Sequence, residues 1–212
     1  MTDVKRPLRD RAAATRSRIL HAAHEEFARR GYHGATIASI AKRAGVATQT
    51  VYFVFHTKAA LISALIDMLV MGEDQPVIPQ DTEWWAAMRS HPDPRESLRH
   101  FIRGAAPLFE RASETSEILR AAALTDDEVR QTHEFHEGLR EAGFREVIEV
   151  VATKGTLRRG LDLDSATDVL LTVYGDSTYH LLRSERGWSH EQTVEWFCDA
   201  LPALLFEPRP AP

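Results

Sequence analysis

Cysteine is nearly absent. Cys198 is the only one in the chain, which excludes a disulfide framework and any zinc site built from several cysteines of one chain, and suits a reducing compartment. Nowhere do roughly 18 apolar residues run together, as a membrane-spanning helix requires, and residues 1–11 are polar and basic without the apolar stretch of a secretory leader. The expectation is a cytoplasmic protein with no membrane partner. Alternating apolar and polar residues bounded by hairpin turns are also missing, which argues against sheet. There is no Gly-rich phosphate loop, no Gly-x-Ser-x-Gly and no His-Glu-x-x-His, so no reaction, catalytic residue or cofactor can be assigned and the chain reads as a non-enzyme. A helical-bundle enzyme is the rival reading that these absences leave open.

What is present is a 212-residue chain, 43% hydrophobic, long enough to bury a substantial core. Its net charge of −5 is unevenly placed: 11 Lys and Arg face 4 Asp and Glu up to Ile66, and 15 face 27 thereafter. A basic head on an acidic body is what a protein needs if only the head approaches phosphate.

Helix signals recur from Thr15 to Phe206, so the expected class is all-α. A first helix over 15–30 should end at Gly31 as a left-handed cap, and a second should start after the N-cap Thr36, turn Ile37, Ile40, Ala41 and Ala44 inward and stop at Gly45. A third covers 48–55. Thr57 can cap a fourth over 58–71. Pro76, Pro79, Pro92 and Pro94 mark an irregular connection in which Trp84 and Trp85 can form a short helix. The domain reading is therefore a head, 12–72, and a body, 73–212. Body helices are expected over 94–112, 114–123 and 126–153, then from Asp164 or Ser165 to 186; Ser189 and Gln192 form a capping box opening the last.

Residues 36–55 have the internal logic of a helix-turn-helix. Ala41 is small where two helices cross, Gly45 suits the turn, and Ile40, Val46, Val51 and Val54 form an apolar wedge. That register turns Thr48, Gln49, Tyr52 and Phe53 outward as candidate readers of base edges. Gln49 can pair bidentately with adenine, and the methyl or hydroxyl of Thr48 or Thr50 can meet a thymine methyl or a phosphate. Arg43 is a further basic candidate. An ordinary helical hairpin uses the same glycine and apolar spacing.

Thr15-Arg16-Ser17-Arg18-Ile19-Leu20, Phe27-Ala28-Arg29-Arg30-Gly31-Tyr32, Ile40-Ala41-Lys42-Arg43-Ala44-Gly45-Val46 and Thr50-Val51-Tyr52, followed by Phe55, Lys58 and Leu61, together resemble the TetR family of regulators. The resemblance implies a three-helix DNA-binding head, a helical ligand-binding body and dimerisation through the last two helices. By position it implies phosphate contacts from Thr36, Thr50, Tyr52 and Lys58. This sequence departs from the pattern at Ala47, where a serine cap is frequent, so that Thr48 caps instead, and at Val54, whose lost phosphate contact His56 can supply. Phe53 replaces a commonly polar neighbour; it either meets sugars or thymine methyls or packs on the first or fourth helix. The basic arm, Lys5 to Arg11, is expected to be unstructured when free, and either reaches a minor groove or merely solubilises.

In the body, Val194, Phe197, Leu201 and Leu204 recur at intervals of three, four and three, and Val173 and Leu181 belong to a matching stripe on the preceding helix. The segment Arg183 to Ser189 is similar to the link between the last two helices of TetR-like regulators, so the pair reads as a homodimer interface, with intramolecular core as its alternative. A two-fold dimer would bind double-stranded DNA at a near-palindromic operator, with recognition helices about 34–36 Å apart. His100, His133, His136, Tyr174, Asp176 and His180 are the candidates for contacting a small-molecule effector. His133 and His136 share a helical face but lack a defined third ligand, so no metal site is assigned.

Overall fold

The computed structural model describes residues 5–73 and 76–208, with side chains from residue 11 onward. Ten α-helices account for most of these residues: α1 (Lys5–Gly34), α2 (Ile37–Ala44), α3 (Thr48–Phe55), α4 (Lys58–Met71), α5 (Glu83–Ser90), α6 (Pro94–Ala123), α7 (Asp127–Ala152), α8 (Leu163–Val173), α9 (Asp176–His180) and α10 (His190–Leu205). Among the described residues there is no β-strand, only an isolated bridge between Leu157 and Phe206. No single helix among them is long and apolar enough to cross a membrane.

The helix boundaries follow local chemistry. Thr36, Thr57, Thr82, Asp93, Asp126, Asp162 and Ser189 each accept a backbone N–H from the first turn of the helix they precede. Gly31 has φ 65° and ψ 178°, so α1 breaks there as expected, through positive φ with extended rather than left-handed ψ. At its other end α1 starts at Lys5, which corrects the expectation of an unstructured arm. Pro7 falls in the first turn, where its missing N–H has no partner to lose; side chains 5–10 lie outside the described ones, and with them the question of a groove contact.

Two apolar clusters organise the molecule. The first joins Ile19, Phe27, Ile40, Val51, Leu61 and Leu65 of the head to Leu119, Ala122 and Val129 of α6 and α7. The second packs Trp85, Phe101, Phe144, Tyr174, Phe197 and Leu201 within the body. Helix α6 serves both. The sequence suggested two helices there, divided at Ser113, but Ser113 is buried within a continuous 30-residue helix, about 45 Å long. In the other direction, the helix expected over 165–186 breaks at Tyr174 and Gly175. The break carries the Tyr174 ring inside, where its hydroxyl donates to Ile102 O at 2.7 Å. Gly175 has no room for a side chain, because a Cβ would lie 2.7 Å from Leu171 O.

The short α5 holds Trp84 and Trp85, as expected of that segment. Trp84 rests on Gly104 of α6, where a Cβ would come within 2.4 Å of the indole. Trp85, Phe101, Phe144, Tyr174 and Phe197 continue this contact as edge-to-face and tilted ring pairs.

Candidate nucleic-acid interface

The turn between α2 and α3 is built by Gly45, at φ 67° and ψ 38°, whose N–H returns to Ala41 O and Lys42 O. Val46 N also reaches Ala41 O, at 3.0 Å. Ile40, Ala41 and Val51 are buried at the crossing, while Val46 and Val54 are half-buried against them. This fixes α3 with one row in solvent. Gln49, Tyr52, Phe53 and His56 are all exposed, at helical positions i, i+3, i+4 and i+7.

Phe53 is 83% exposed and Tyr52 51%. The structure thereby removes one expectation, since a ring this exposed packs on neither α1 nor α4. A second expectation changes at the start of α3: Ala47 itself is the N-cap and accepts no side-chain bond, so Thr48 is the first helical residue rather than the cap. Thr48 and Thr50 are half-buried beside the exposed row. Thr36 closes a reciprocal capping box, its Oγ1 accepting from Ser39 N at 3.0 Å while its own N–H donates to Ser39 Oγ at 3.2 Å. Its hydroxyl proton stays available to an external acceptor.

His56 ends α3 with φ 63° and ψ −54°. Thr57 N donates to Phe55 O at 2.7 Å across it, which makes a γ-turn of the rarer, strained hand. Through this turn α4 leaves at 69° to α3. Arg16 of α1 braces the same end, its guanidinium 4.6 Å from the centre of the Phe55 ring.

Two basic candidates are occupied within the head. Arg43 donates to Glu26 Oε1 at 2.8 Å and to Glu25 Oε2 at 2.6 Å, and this bonding holds the Glu26 carboxyl below its ordinary pKa despite burial. Lys58 donates to Tyr32 O at 2.9 Å and Ala35 O at 3.1 Å, and its ammonium lies 4.2 Å over the Tyr32 ring. Burial lowers its pKa. Lys58 thus closes the carbonyl end of α1, with one of its three protons left over. Sequence reasoning missed Glu26; its signal was an acid on the buried face of the first helix, one turn before Arg30, with which it also pairs at 3.3 Å.

The effector candidates do not converge. Tyr174 lies in the aromatic cluster, Asp176 pairs with Arg140 at 3.0 Å, and His136 meets Ser63 Oγ of α4 at 2.9 Å. His133 is half-buried on the same helix, and exposed His100 lies tilted against His91, with ring centres 5.3 Å apart. His180 lines a cleft of about 570 Å³ between the end of α1 and α6. The aromatic cluster of the body, which includes Trp84, Trp85, Phe101 and Phe144, was not singled out as a unit from the sequence, because its members come from three helices with no shared spacing.

The seam assigned to a partner subunit needs correction. Val194, Phe197 and Leu201 are buried in their own body cluster, so the three-four-three spacing marks the inner face of α10. Val173 is half-buried, and Leu181 and Leu204 remain open at 38% and 40% exposure. On the outer face of α10, Trp196, Ala203 and Leu204 are exposed and Ala200 is partly so.

Residues 19–65 match the family model described as bacterial regulatory proteins, tetR family. The chain is 26% identical over 183 residues to the HTH-type transcriptional repressor BepR of Brucella suis, covering 84% of this chain and 85% of that one. In fold it is similar to NalD of Pseudomonas aeruginosa, described as the secondary repressor of the MexAB-OprM multidrug efflux pump, with TM-score 0.69 at 23% identity over 92% of this chain and 98% of that one. It is also similar to the regulator FadR of Bacillus subtilis in complex with stearoyl-CoA, with TM-score 0.66 at 19% identity over 89% and 98% of the two chains. Residues 19–65 thus carry a helix-turn-helix head of the tetR type, on a body that shares its helical fold with these two regulators.

Proposed function

We propose that the protein is a homodimeric, sequence-specific repressor that leaves its operator when a small molecule binds the body. The observation that carries this reading is the solvent-facing row Gln49, Tyr52, Phe53 and His56 on a short helix held at a fixed angle in a basic head. Such a row can enter a major groove, and Thr36, Thr50 and Lys58, with Tyr52 of the row itself, are assigned to phosphate contacts in this reading. Arg43 is assigned instead to holding α2 on α1, through Glu25 and Glu26.

The dimer forms through the outer face of α10, where Trp196, Ala203 and Leu204 are exposed, with Leu181 beside it. Effector binding in the body acts on the head through α6, which is packed into both apolar clusters. The ligand must favour the arrangement with wrongly spaced heads, since a ligand of equal affinity for both arrangements shifts nothing. The BepR and NalD names support repression, and the stearoyl-CoA complex supports a ligand site in a body of this fold.

Selection of bound fragments from genomic DNA tests the reading. The expected result is a short near-palindrome whose binding weakens steeply as salt rises. A well-folded dimer that enriches no sequence would refute it.

A further inference from the structure

The reading helix is free of formal charge. Thr48–Phe55 contains no Lys, Arg, Asp or Glu, and Arg43, the arginine nearest to it in sequence, is held by Glu25 and Glu26 at 2.6 Å each. The commonest direct contact to guanine, a guanidinium or ammonium on O6 and N7, therefore has no donor on α3. Lys42 is an exposed cation on α2, the helix that crosses the phosphate backbone in this motif.

Beside the Tyr52 phenol and the His56 imidazole, the exposed row offers a carboxamide at Gln49 and a phenyl ring at Phe53. Gln49 suits the N6 and N7 edge of adenine, and an apolar side chain suits the C5-methyl of thymine. Among the described residues Phe53 is the most exposed large hydrophobic, at 83%, and no aromatic ring stacks on it. A phenyl group left in water gains nothing for the fold, but it gains by covering an apolar group in a groove. Gln49 and Phe53 stand one turn apart, about 6 Å along the axis, so the bases they meet belong to one half-site.

We infer that each operator half-site presents A·T pairs to α3, with an adenine edge on Gln49 and a thymine 5-methyl group on the ring of Phe53. This rests on the DNA-binding reading above and deepens it: the operator is recognised at its centre of contact through a methyl group rather than through guanine.

The test uses the full-length protein and the best fragment from the selection. Each thymine of a half-site is replaced in turn by uracil, which removes only the methyl group. Binding is then titrated for wild type, Phe53→Ala, Phe53→Leu and Gln49→Ala. One thymine per half-site should respond, losing about four-fold in affinity, the worth of one buried methyl, and about sixteen-fold when both half-sites are changed. Phe53→Ala should bind the thymine and uracil duplexes equally, Phe53→Leu should keep part of the difference, and Gln49→Ala should keep all of it. Because Phe53 is exposed, the melting temperature of its variants should match wild type. The inference is overturned if no thymine responds, if the uracil effect survives in Phe53→Ala, or if loss of guanine N7 by 7-deazaguanine substitution weakens binding where α3 docks. Those outcomes leave the DNA-binding reading intact, whereas failure to enrich any sequence overturns both.

Discussion

Arg43 shows how burial redirects a charge. Glu26 is only 2% exposed on the inner side of α1, and an ionised carboxylate cannot stay there without donors. Arg43 of α2 donates to its Oε1, and Arg30 on the next turn of α1 adds an ion pair at 3.3 Å on the Oε2 side. Arg43→Met should therefore destabilise the head by about 1–3 kcal/mol, the cost of leaving a buried acceptor without its partner. Thermal melting checks this, and the salt dependence of DNA binding should be unchanged; a shallower salt slope with unaltered melting would instead make Arg43 a phosphate contact. The pH dependence has a definite sign. Arg43 holds the Glu26 pKa below its ordinary value of 4.5, so the stabilisation is complete above that pH and is lost as pH falls through the folded value. The gap in melting temperature between wild type and Arg43→Met should close in acid. In the sequence, Arg43 was simply a cation beside a helix-turn-helix. Its true neighbours lie 17 and 18 residues earlier and face it only once α1 and α2 have crossed. Gln49 and Phe53 were legible because their direction depends only on helical period and on the buried Val51 between them.

At the scale of elements, α6 connects the body to the head, and α7 adds a second tie where His136 bonds Ser63 of α4. Burial lowers the His136 pKa from its ordinary 6.5. Below that value the unfolded chain takes up a proton that the folded one resists, so this tie loses stability as pH falls from about 6.5 through the folded value. His136→Gln should keep a hydrogen-bonding partner for Ser63 and flatten the dependence of melting temperature on pH between 5 and 7 on the scale of a single titrating group, about one proton. An unchanged pH profile in that variant would remove His136 from the account. Capping residues made most helix starts readable, yet two features of the body escaped. Ser113 has a capping side chain but is buried in mid-helix, and the helix over 165–186 breaks because Tyr174 turns its ring into the core. Both outcomes are set by packing against other helices, which local spacing does not encode.

For the whole molecule, the face proposed to pair two copies is the point at which sequence spacing and burial disagree. Val194, Phe197 and Leu201 form a convincing seam, but a body of this size needs that seam for its own core, with Phe197 meeting the Tyr174 ring at 5.0 Å. Spacing shows that a helix face is apolar and leaves open which neighbour covers it. The outer residues make the distinction testable: Trp196→Glu with Leu204→Glu should leave a folded monomer by sedimentation and weaken operator binding by about ten-fold or more, because the second recognition helix is no longer tethered. A dimer unaffected by both changes would place the interface elsewhere.

The central claim is that α3 of this head reads DNA. It is tested most directly by titrating the best selected duplex with wild type and Gln49→Ala at two salt concentrations. The account predicts that Gln49→Ala binds about ten-fold or more weakly at both salts with the same salt slope, as expected when one bidentate base contact is lost and every phosphate contact is kept. Equal affinity of the two proteins for that duplex, or equal affinity of wild type for a scrambled one, would contradict it.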